Sequence, residues 1–236
     1  MRRALAAALL SAALFVLTGC DDLPGKPQHA ERYVLPDAVK DFAELYGTNC
    51  AGCHGADGRL GPARALNDPL FLALVNDQEM TQVIARGVPG TSMPAFATSQ
   101  GGTLTDAQIA TIVSEMRTRW ARPQETSGVA LPPYTAPAGD AQRGATVFAT
   151  ACAPCHGADG KGGSSKGSIV DPSFLALTSD QSLRSTIIAG RTDLGMPDFR
   201  GGKGGTPMSA TQIADVVAWL AAQRTKFPGQ PYAGSK

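Results

Sequence analysis

Histidine is scarce in this chain, since its 236 residues include only three. Two metal centres that each need two histidine ligands are therefore excluded. Basic and acidic side chains nearly balance, 21 to 20, which argues against a nucleic-acid partner. The longest uncharged apolar run spans residues 4–17, shorter than the ~20 residues that a membrane-spanning helix needs. The remaining composition, 43% hydrophobic and 17% charged, is that of a globular protein.

The N-terminal segment has the pattern of a processing signal. Two arginines precede the apolar run, and the run ends in Leu17-Thr18-Gly19-Cys20, which resembles the bacterial lipobox. The resemblance implies cleavage before Cys20 and acylation of its thiol and of its new amine. Several acyl chains together give a stable membrane anchor. The alternative is an ordinary signal peptide that leaves Cys20 as a free thiol.

We therefore expect residues 1–19 to be a lipoprotein signal peptide and residues 20–37 to be a lipidated tether. Asp21 and Asp22 follow the cysteine. In proteobacterial lipoproteins an acidic residue at this place favours retention in the inner membrane. The expected location is the periplasmic face of the bacterial inner (cytoplasmic) membrane, with the lipid anchor at Cys20 as the membrane contact.

The other four cysteines form two Cys-X-X-Cys-His motifs, at residues 50–54 and 152–156. In this motif the two thiols form thioethers with the haem vinyl groups, and the histidine binds the iron. Two covalently bound haems c are therefore expected. Their attachment sites would be Cys50, Cys53, Cys152 and Cys155, and their proximal iron ligands His54 and His156. A rival interpretation, one zinc site of four cysteines, leaves the histidine after each pair unexplained.

The second half of the chain repeats the first at an offset of 102 to 104 residues. In each copy the sequence predicts the same order of elements: a helix before the haem motif, a Gly-rich loop, a short helix, a methionine loop and a closing helix. Each closing helix has the start signal of a capping box, Thr105 with Gln108 or Ser209 with Gln212. The predicted divisions are a first domain at 38–121, a Pro-rich linker at 122–138, a second domain at 139–227 and a tail at 228–236.

A unit of about 100 residues with this order of elements resembles the class I cytochrome c domain. The resemblance covers residues 38–121 and 139–227, nearly all of the chain beyond the tether. It implies an all-α fold of two tandem class I cytochrome c domains. Each would be a small helical fold wrapped around one covalently attached haem c, with one haem edge near the surface.

The second axial iron ligand is predicted from the methionines, because the third histidine, His29, lies in the tether. Met93 and Met196 fall 39 and 40 residues after the motif histidines, and each precedes a proline. Three other methionines pair with leucine in the opposite copy, which is typical of core residues: Met80, Met116 and Met208. The predicted iron ligands are therefore His54 and Met93 for haem 1, and His156 and Met196 for haem 2.

Two features differ between the copies. Gly61-Pro62 resembles the family turn whose proline carbonyl accepts a hydrogen bond from the proximal histidine, whereas the second copy has Ser164-Ser165-Lys166-Gly167 there. This difference predicts two distinct reduction potentials.

Charge also differs between the copies: residues 30–122 carry eight basic and ten acidic side chains, and residues 139–236 carry ten basic and seven acidic side chains. The basic excess is either an ordinary solvated surface or a docking face for an acidic redox partner. That face would include Lys161, Lys166, Arg184, Arg191, Arg200 and Lys203.

Histidine and methionine ligands point to an electron carrier, because together they fill the coordination sphere of the iron. The expected function is a membrane-anchored dihaem cytochrome c that relays single electrons between respiratory or photosynthetic complexes, with no catalytic residue. Its expected partners are a quinol-oxidising complex, a terminal oxidase or a reaction centre, or soluble cytochromes. One alternative is the electron-accepting subunit of a dehydrogenase or oxidase. Another is a dihaem peroxidase or thiosulfate-oxidising enzyme, for which spare haem ligands are lacking.

Overall fold

The computed structural model describes Gly25 and residues 33–163, 166–202 and 205–225. The predicted signal peptide, Cys20, most of the tether and the tail from residue 228 lie outside them. Among the described residues, no helix is long and apolar enough to cross a lipid bilayer. The chain divides into two units between Ala38 and Val39, and both haem motifs belong to the second unit. The limits of the two domains within that unit stay a prediction.

Every regular element in the described residues is a helix, which confirms the predicted all-α fold. The first repeat (residues 38–121) contains α1 (Phe42–Asn49), α2 (Ala51–His54), α3 (Pro69–Leu74), α4 (Asp77–Arg86) and α5 (Asp106–Trp120). The linker contains α6 (Pro123–Thr126). The second repeat (residues 139–227) contains α7 (Ala141–Ala151), α8 (Ala153–His156), α9 (Pro172–Ala176), α10 (Asp180–Ala189) and α11 (Ala210–Ala222). Short 3₁₀ helices lie at Pro36–Ala38, Thr98–Gln100 and Thr192–Leu194.

Local sequence sets where these helices begin. The closing helices α5 and α11 each start with the predicted capping box, in which side chain and backbone bond reciprocally. Asp41 and Asp140 cap α1 and α7, the helices that lead into the haem motifs. Asp68 and Asp171 cap α3 and α9, each followed by a proline in the first turn. The same capping chemistry at matching positions therefore gives both repeats the same order of helices.

The first repeat packs α1 against α5 through aromatic rings. Phe42 and Tyr46 stack with ring centroids 5.4 Å apart, and Trp120 meets them edge-on at 5.6 and 5.1 Å. All three rings are buried, and such pairs add to the stability gained from burial alone. The Gln108 side chain donates a hydrogen bond to the Val39 carbonyl at 3.0 Å. These contacts fix α1, and with it the start of the first haem motif.

The second repeat brings α7 and α11 into closer contact. A Cβ on Gly144 would lie 2.0 Å from the carbonyl oxygen of Asp215, so no larger residue fits unless the helices separate. Phe148 stacks on Trp219 with centroids 4.0 Å apart. The buried Asp215 carboxylate accepts two hydrogen bonds from the Arg143 guanidinium, both at 2.8 Å. This crossing positions the second haem motif, which follows α7 directly.

The Pro-rich linker is bound to the second repeat. Arg184 on α10 is buried and donates to the carbonyls of Pro133 and Tyr134, at 2.7 and 3.0 Å. Val129 and Leu131 pack against the cores of both repeats. The linker therefore contributes to the contact between the repeats as well as joining them.

Two candidate haem sites

Each haem motif follows directly on the helix that presents it. α1 and α7 both end where the motif begins, and a single turn, α2 or α8, carries the rest of it. A glycine with positive φ follows each histidine, 85° at Gly55 and 79° at Gly157, so the chain turns away at once. None of the four motif cysteines, all of which the structure describes, forms a disulfide. Burial raises the pKa of Cys50 and of Cys152 to about 11.

The proximal hydrogen bond of the first site goes to Arg64. His54 Nδ1 donates to the Arg64 carbonyl at 2.8 Å, which leaves Nε2 to bind iron. The prediction that the Pro62 carbonyl is the acceptor is therefore wrong. Gly61 packs directly on the motif, where a Cβ would lie 2.3 Å from the Cys53 carbonyl oxygen. This tight turn brings the carbonyl two residues beyond Pro62 to the imidazole.

The second site holds its histidine differently. His156 Nδ1 is buried, and the described residues offer it no hydrogen-bond partner. Ser164 and Ser165, in the loop that corresponds to the Pro62 turn, lie outside those residues. Burial lowers the pKa of both His54 and His156, so that both imidazoles are neutral at neutral pH, the form that binds iron. In the described part of the chain, the surroundings of the two imidazoles thus differ.

Both methionine loops are held by backbone contacts beside a glycine. Gly87 and Gly190 follow α4 and α10 with φ of 65° and 76°. A Cβ on them would lie 2.6 Å from the Met93 carbonyl oxygen and 2.7 Å from that of Met196, respectively. Met196 also exchanges two backbone hydrogen bonds with Arg191, at 3.0 and 3.1 Å. Sequence reasoning missed this glycine pair, although the repeat offset of 103 residues aligns the two positions.

Both sites open into one cavity of about 1350 Å³ with mostly apolar walls. All eight residues predicted to hold the haems line it: Cys50, Cys53, His54 and Met93 from the first repeat, and Cys152, Cys155, His156 and Met196 from the second. The structure therefore brings together every haem-binding residue that the sequence singled out. Their assignment as attachment sites and iron ligands stays a prediction.

The donor set in each half of the cavity fits a covalently held haem. Two thiols, a neutral imidazole and a thioether line each half, among apolar side chains. In the second half Phe174, Leu177 and Leu194 line the cavity, with exposed fractions of 41%, 52% and 50%. A haem held by the second motif would cover this apolar surface.

The other paired methionines lie in or against the two cores, and the two cysteine pairs lie apart. Met80 and Met116 are buried in the core of the first repeat, which confirms their predicted role. Met208 is half-buried and packs against the core of the second repeat. Among the described residues, which include all four motif cysteines, no three His, Cys, Asp or Glu side chains lie close enough to hold a metal ion. The two cysteine pairs therefore do not meet in one tetrahedral zinc site.

Two of the basic residues expected on a docking face lie inside the protein. Arg184 is 4% exposed, and the Arg191 side chain is 12% exposed. Arg184 binds the linker and Arg191 binds the first repeat, so a docking face that includes them is wrong. Lys161 and Arg200 are exposed but paired with neighbouring aspartates. Among the described residues, Arg184 and Arg191 thus bond within the protein, and Lys161 and Arg200 form ion pairs at its surface.

Comparison with known proteins gives a consistent set of relatives. The family model described as "Cytochrome C oxidase, cbb3-type, subunit III" matches residues 37–114 and 139–220. A "Cbb3-type cytochrome c oxidase subunit FixP" from Bradyrhizobium sp. (strain ORS 278) is 33% identical over 72% of this chain and 57% of its own length. The protein of the same name from Azorhizobium caulinodans is 33% identical over 74% of this chain and 56% of its own.

A third relative is the "Thiosulfate dehydrogenase" of Stutzerimonas stutzeri (strain A1501). It is 29% identical over 64% of this chain and 53% of its own length. The chain therefore spans little more than half the length of these three curated relatives.

Proposed function

The chain belongs to the cbb3-type cytochrome c oxidase subunit III family and is a tandem class I cytochrome c, and on this basis we propose that it binds two haems c and relays single electrons within a membrane redox chain. The observation that carries the proposal is the shared cavity lined by all eight predicted haem-binding residues. A bound haem supplies the one-electron couple of its iron, whereas the chain supplies the ligands and their surroundings.

The side chains of each half have distinct roles in this proposal. The two motif cysteines would hold the haem by thioethers, and the histidine and methionine would bind its iron. The neutral methionine sulfur and the apolar walls favour ferrous iron and raise the reduction potential. With both ligands bound, the iron would have no free position for a substrate, which supports a role in carrying electrons.

The two haems are proposed to have different potentials and to exchange electrons within one chain. His54 Nδ1 donates to a backbone carbonyl, which makes the imidazole a stronger donor to iron. His156 Nδ1 has no such partner among the described residues. The two haems are therefore expected to differ in reduction potential. The shared cavity favours transfer between the two haems.

The location and partners rest on sequence and on the relatives. The lipobox at Cys20 supports a lipid anchor at the periplasmic face of the inner membrane. The relatives named as subunits of cbb3-type oxidases support a terminal oxidase as electron acceptor. A quinol-oxidising complex or a soluble cytochrome would then be the donor.

A second candidate function is thiosulfate oxidation, which the relative named as a thiosulfate dehydrogenase favours. An enzyme of this kind needs a haem iron or another group that reacts with the substrate. The predicted ligands leave no cysteine or histidine to spare at either site. Thiosulfate oxidation therefore stays the weaker candidate.

Oxygen uptake by membranes tests the proposed function. Membranes from a strain that lacks this chain are expected to lose most of their cytochrome-dependent oxygen uptake, and the full-length chain should restore it. The Cys20→Ser variant should hold both haems yet appear in the soluble fraction and leave washed membranes inactive. Unchanged oxygen uptake in the deletion strain, or steady turnover of thiosulfate by the purified chain, would contradict the proposal.

A further inference from the structure

Arg64 links the proximal ligand of the first site to the second repeat. Its carbonyl accepts the hydrogen bond of His54 Nδ1 at 2.8 Å. Its guanidinium Nη2 crosses to α10, where it donates to the Ser182 carbonyl at 2.9 Å and to Thr186 Oγ1 at 2.7 Å. The guanidinium also lies over the Phe71 ring, 4.6 Å from its centroid. The backbone of Arg64 thus serves one haem site while its side chain is held by the other repeat.

Arg191 makes the reverse link. Its backbone exchanges two hydrogen bonds with Met196, at 3.0 and 3.1 Å. Its guanidinium crosses to the first repeat, where Nη2 donates to the Gly61 carbonyl at 2.9 Å. The same guanidinium pairs with Asp193 through two contacts of 3.0 Å, and that carboxylate accepts the Leu60 N–H at 2.9 Å. The Asp193 side chain is 1% exposed, so this link is shielded from water.

The point that Arg191 reaches is itself in contact with the first haem motif. A Cβ on Gly61 would lie 2.3 Å from the Cys53 carbonyl oxygen and 2.6 Å from the carbonyl carbon of His54. Leu60, the residue before it, has a φ of 63°, a left-handed conformation that a leucine rarely adopts. Asp193, in the second repeat, accepts the Leu60 N–H and so holds this turn in place.

We propose that Arg64 and Arg191 are positioning residues through which each repeat holds an axial-ligand loop of the haem in the other repeat. Arg64 fixes the acceptor of the His54 hydrogen bond by its anchor on α10. Arg191 fixes the Met196 loop by its anchor on the Gly61 carbonyl. This inference rests on the proposed function, because it assigns His54 and Met196 as iron ligands.

The physical basis is that the strength of an iron ligand depends on the groups that hold it in place. A hydrogen bond from the second imidazole nitrogen to a carbonyl strengthens the histidine as a donor and favours ferric iron. If the Arg64 carbonyl moves away, this bond weakens and the potential of haem 1 rises. If the Arg191 anchor is lost, the Met196 loop is held from one side only. The methionine sulfur then leaves its iron more often.

The first test disrupts the contact between Arg64 and α10 and measures the effect on the first haem. Thr186→Val removes one acceptor of the Arg64 guanidinium without changing Arg64. Arg64→Lys keeps the charge but replaces the guanidinium by the ammonium of a shorter side chain, which ends before the position of Nη2. In both variants the His54 Nδ1 proton should exchange with water about tenfold faster in the reduced protein, as expected for a lost hydrogen bond to a charged group. The potential of haem 1 should rise and that of haem 2 should stay unchanged. Thr111→Val is the matched control, since that hydroxyl is half-buried and donates to the Ala107 carbonyl of its own helix.

The second test reads the second haem. In Arg191→Lys the fraction of haem 2 that has lost its methionine ligand should rise about tenfold. The far-red absorption band of the ferric methionine-bound form measures this fraction on warming. The band of haem 1 should stay unchanged. Arg143→Lys is the control, because that guanidinium binds the buried Asp215 and contacts neither ligand loop. It should lower the stability and leave both haems unaltered.

The outcomes separate this inference from a structural role and from the proposed function. If the Arg64, Thr186 and Arg191 variants only lower the free energy of unfolding, as Arg143→Lys does, the inference is overturned. A fall in the potential of haem 1 in Thr186→Val would also overturn it. If instead the wild-type protein lacks two histidine- and methionine-bound haems, the proposed function fails first.

Discussion

Replacing Cys152 and Cys155 together by alanine is expected to reduce the covalently bound haem from two groups per chain to one. Thioether attachment of haem 2 needs these thiols, whereas the first repeat keeps Cys50 and Cys53. Mass spectrometry of the intact purified chain counts the attached haems directly. The reciprocal variant, Cys50→Ala with Cys53→Ala, should retain only haem 2 and serves as the matched control.

The variant that lacks Cys152 and Cys155 should also have a less stable second repeat. Phe174, Leu177 and Leu194 line its half of the cavity and are partly exposed, so a haem bound there would cover them. Full burial of one such side chain contributes about 1.5–3 kcal/mol, so partial exposure of three should cost ~3 kcal/mol. Denaturant unfolding should then show the second repeat opening first. Two haems per chain after loss of both thiols, or unchanged stability, would contradict this account.

Replacing either predicted methionine ligand by alanine is expected to remove one ligand from the iron of one haem and to leave the other haem unchanged. Met93→Ala should remove the far-red ferric band of haem 1, and Met196→Ala that of haem 2. The potential of the altered haem should fall by a sizeable part of the roughly 0.8 V range that axial ligands control. Carbon monoxide should bind the altered haem in its reduced state. Optical spectra during a redox titration measure all three effects.

Met116→Leu is the matched control for the methionine variants. Met116 is buried in the first core and aligns with a leucine of the second repeat. A leucine there has nearly the same volume, so the change should cost less than about 1.5 kcal/mol and leave both far-red bands in place. A band that survives Met93→Ala, or one that disappears in Met116→Leu, would show that the ligand assignment is wrong.

Features set by short stretches of sequence could be predicted. The capping boxes at Thr105 and Ser209 depend on residues three positions apart, and both are present. The helices that lead into the haem motifs follow from local apolar spacing. The repeat then supplied the pairing of Met93 with Met196. Both residues line the cavity with the motif cysteines and histidines.

Features that depend on tertiary contacts could not be predicted. The acceptor of the His54 hydrogen bond was assigned to Pro62 by resemblance, but the tight packing of Gly61 on the motif presents the Arg64 carbonyl instead. Arg184 and Arg191 were assigned to an exposed face because their charge is visible in the sequence and their burial is not. Their partners lie some 50 and 130 residues earlier in the chain. No local pattern marks contacts at that separation.

The central claim is that this chain holds two haems, each with a histidine and a methionine ligand, in one shared cavity. A redox titration of the purified wild-type protein, followed by its optical spectrum, tests it most directly. The account predicts two equal one-electron steps at different potentials and a far-red ferric band from each haem. A single haem per chain, or a high-spin ferric spectrum from either haem, would contradict it.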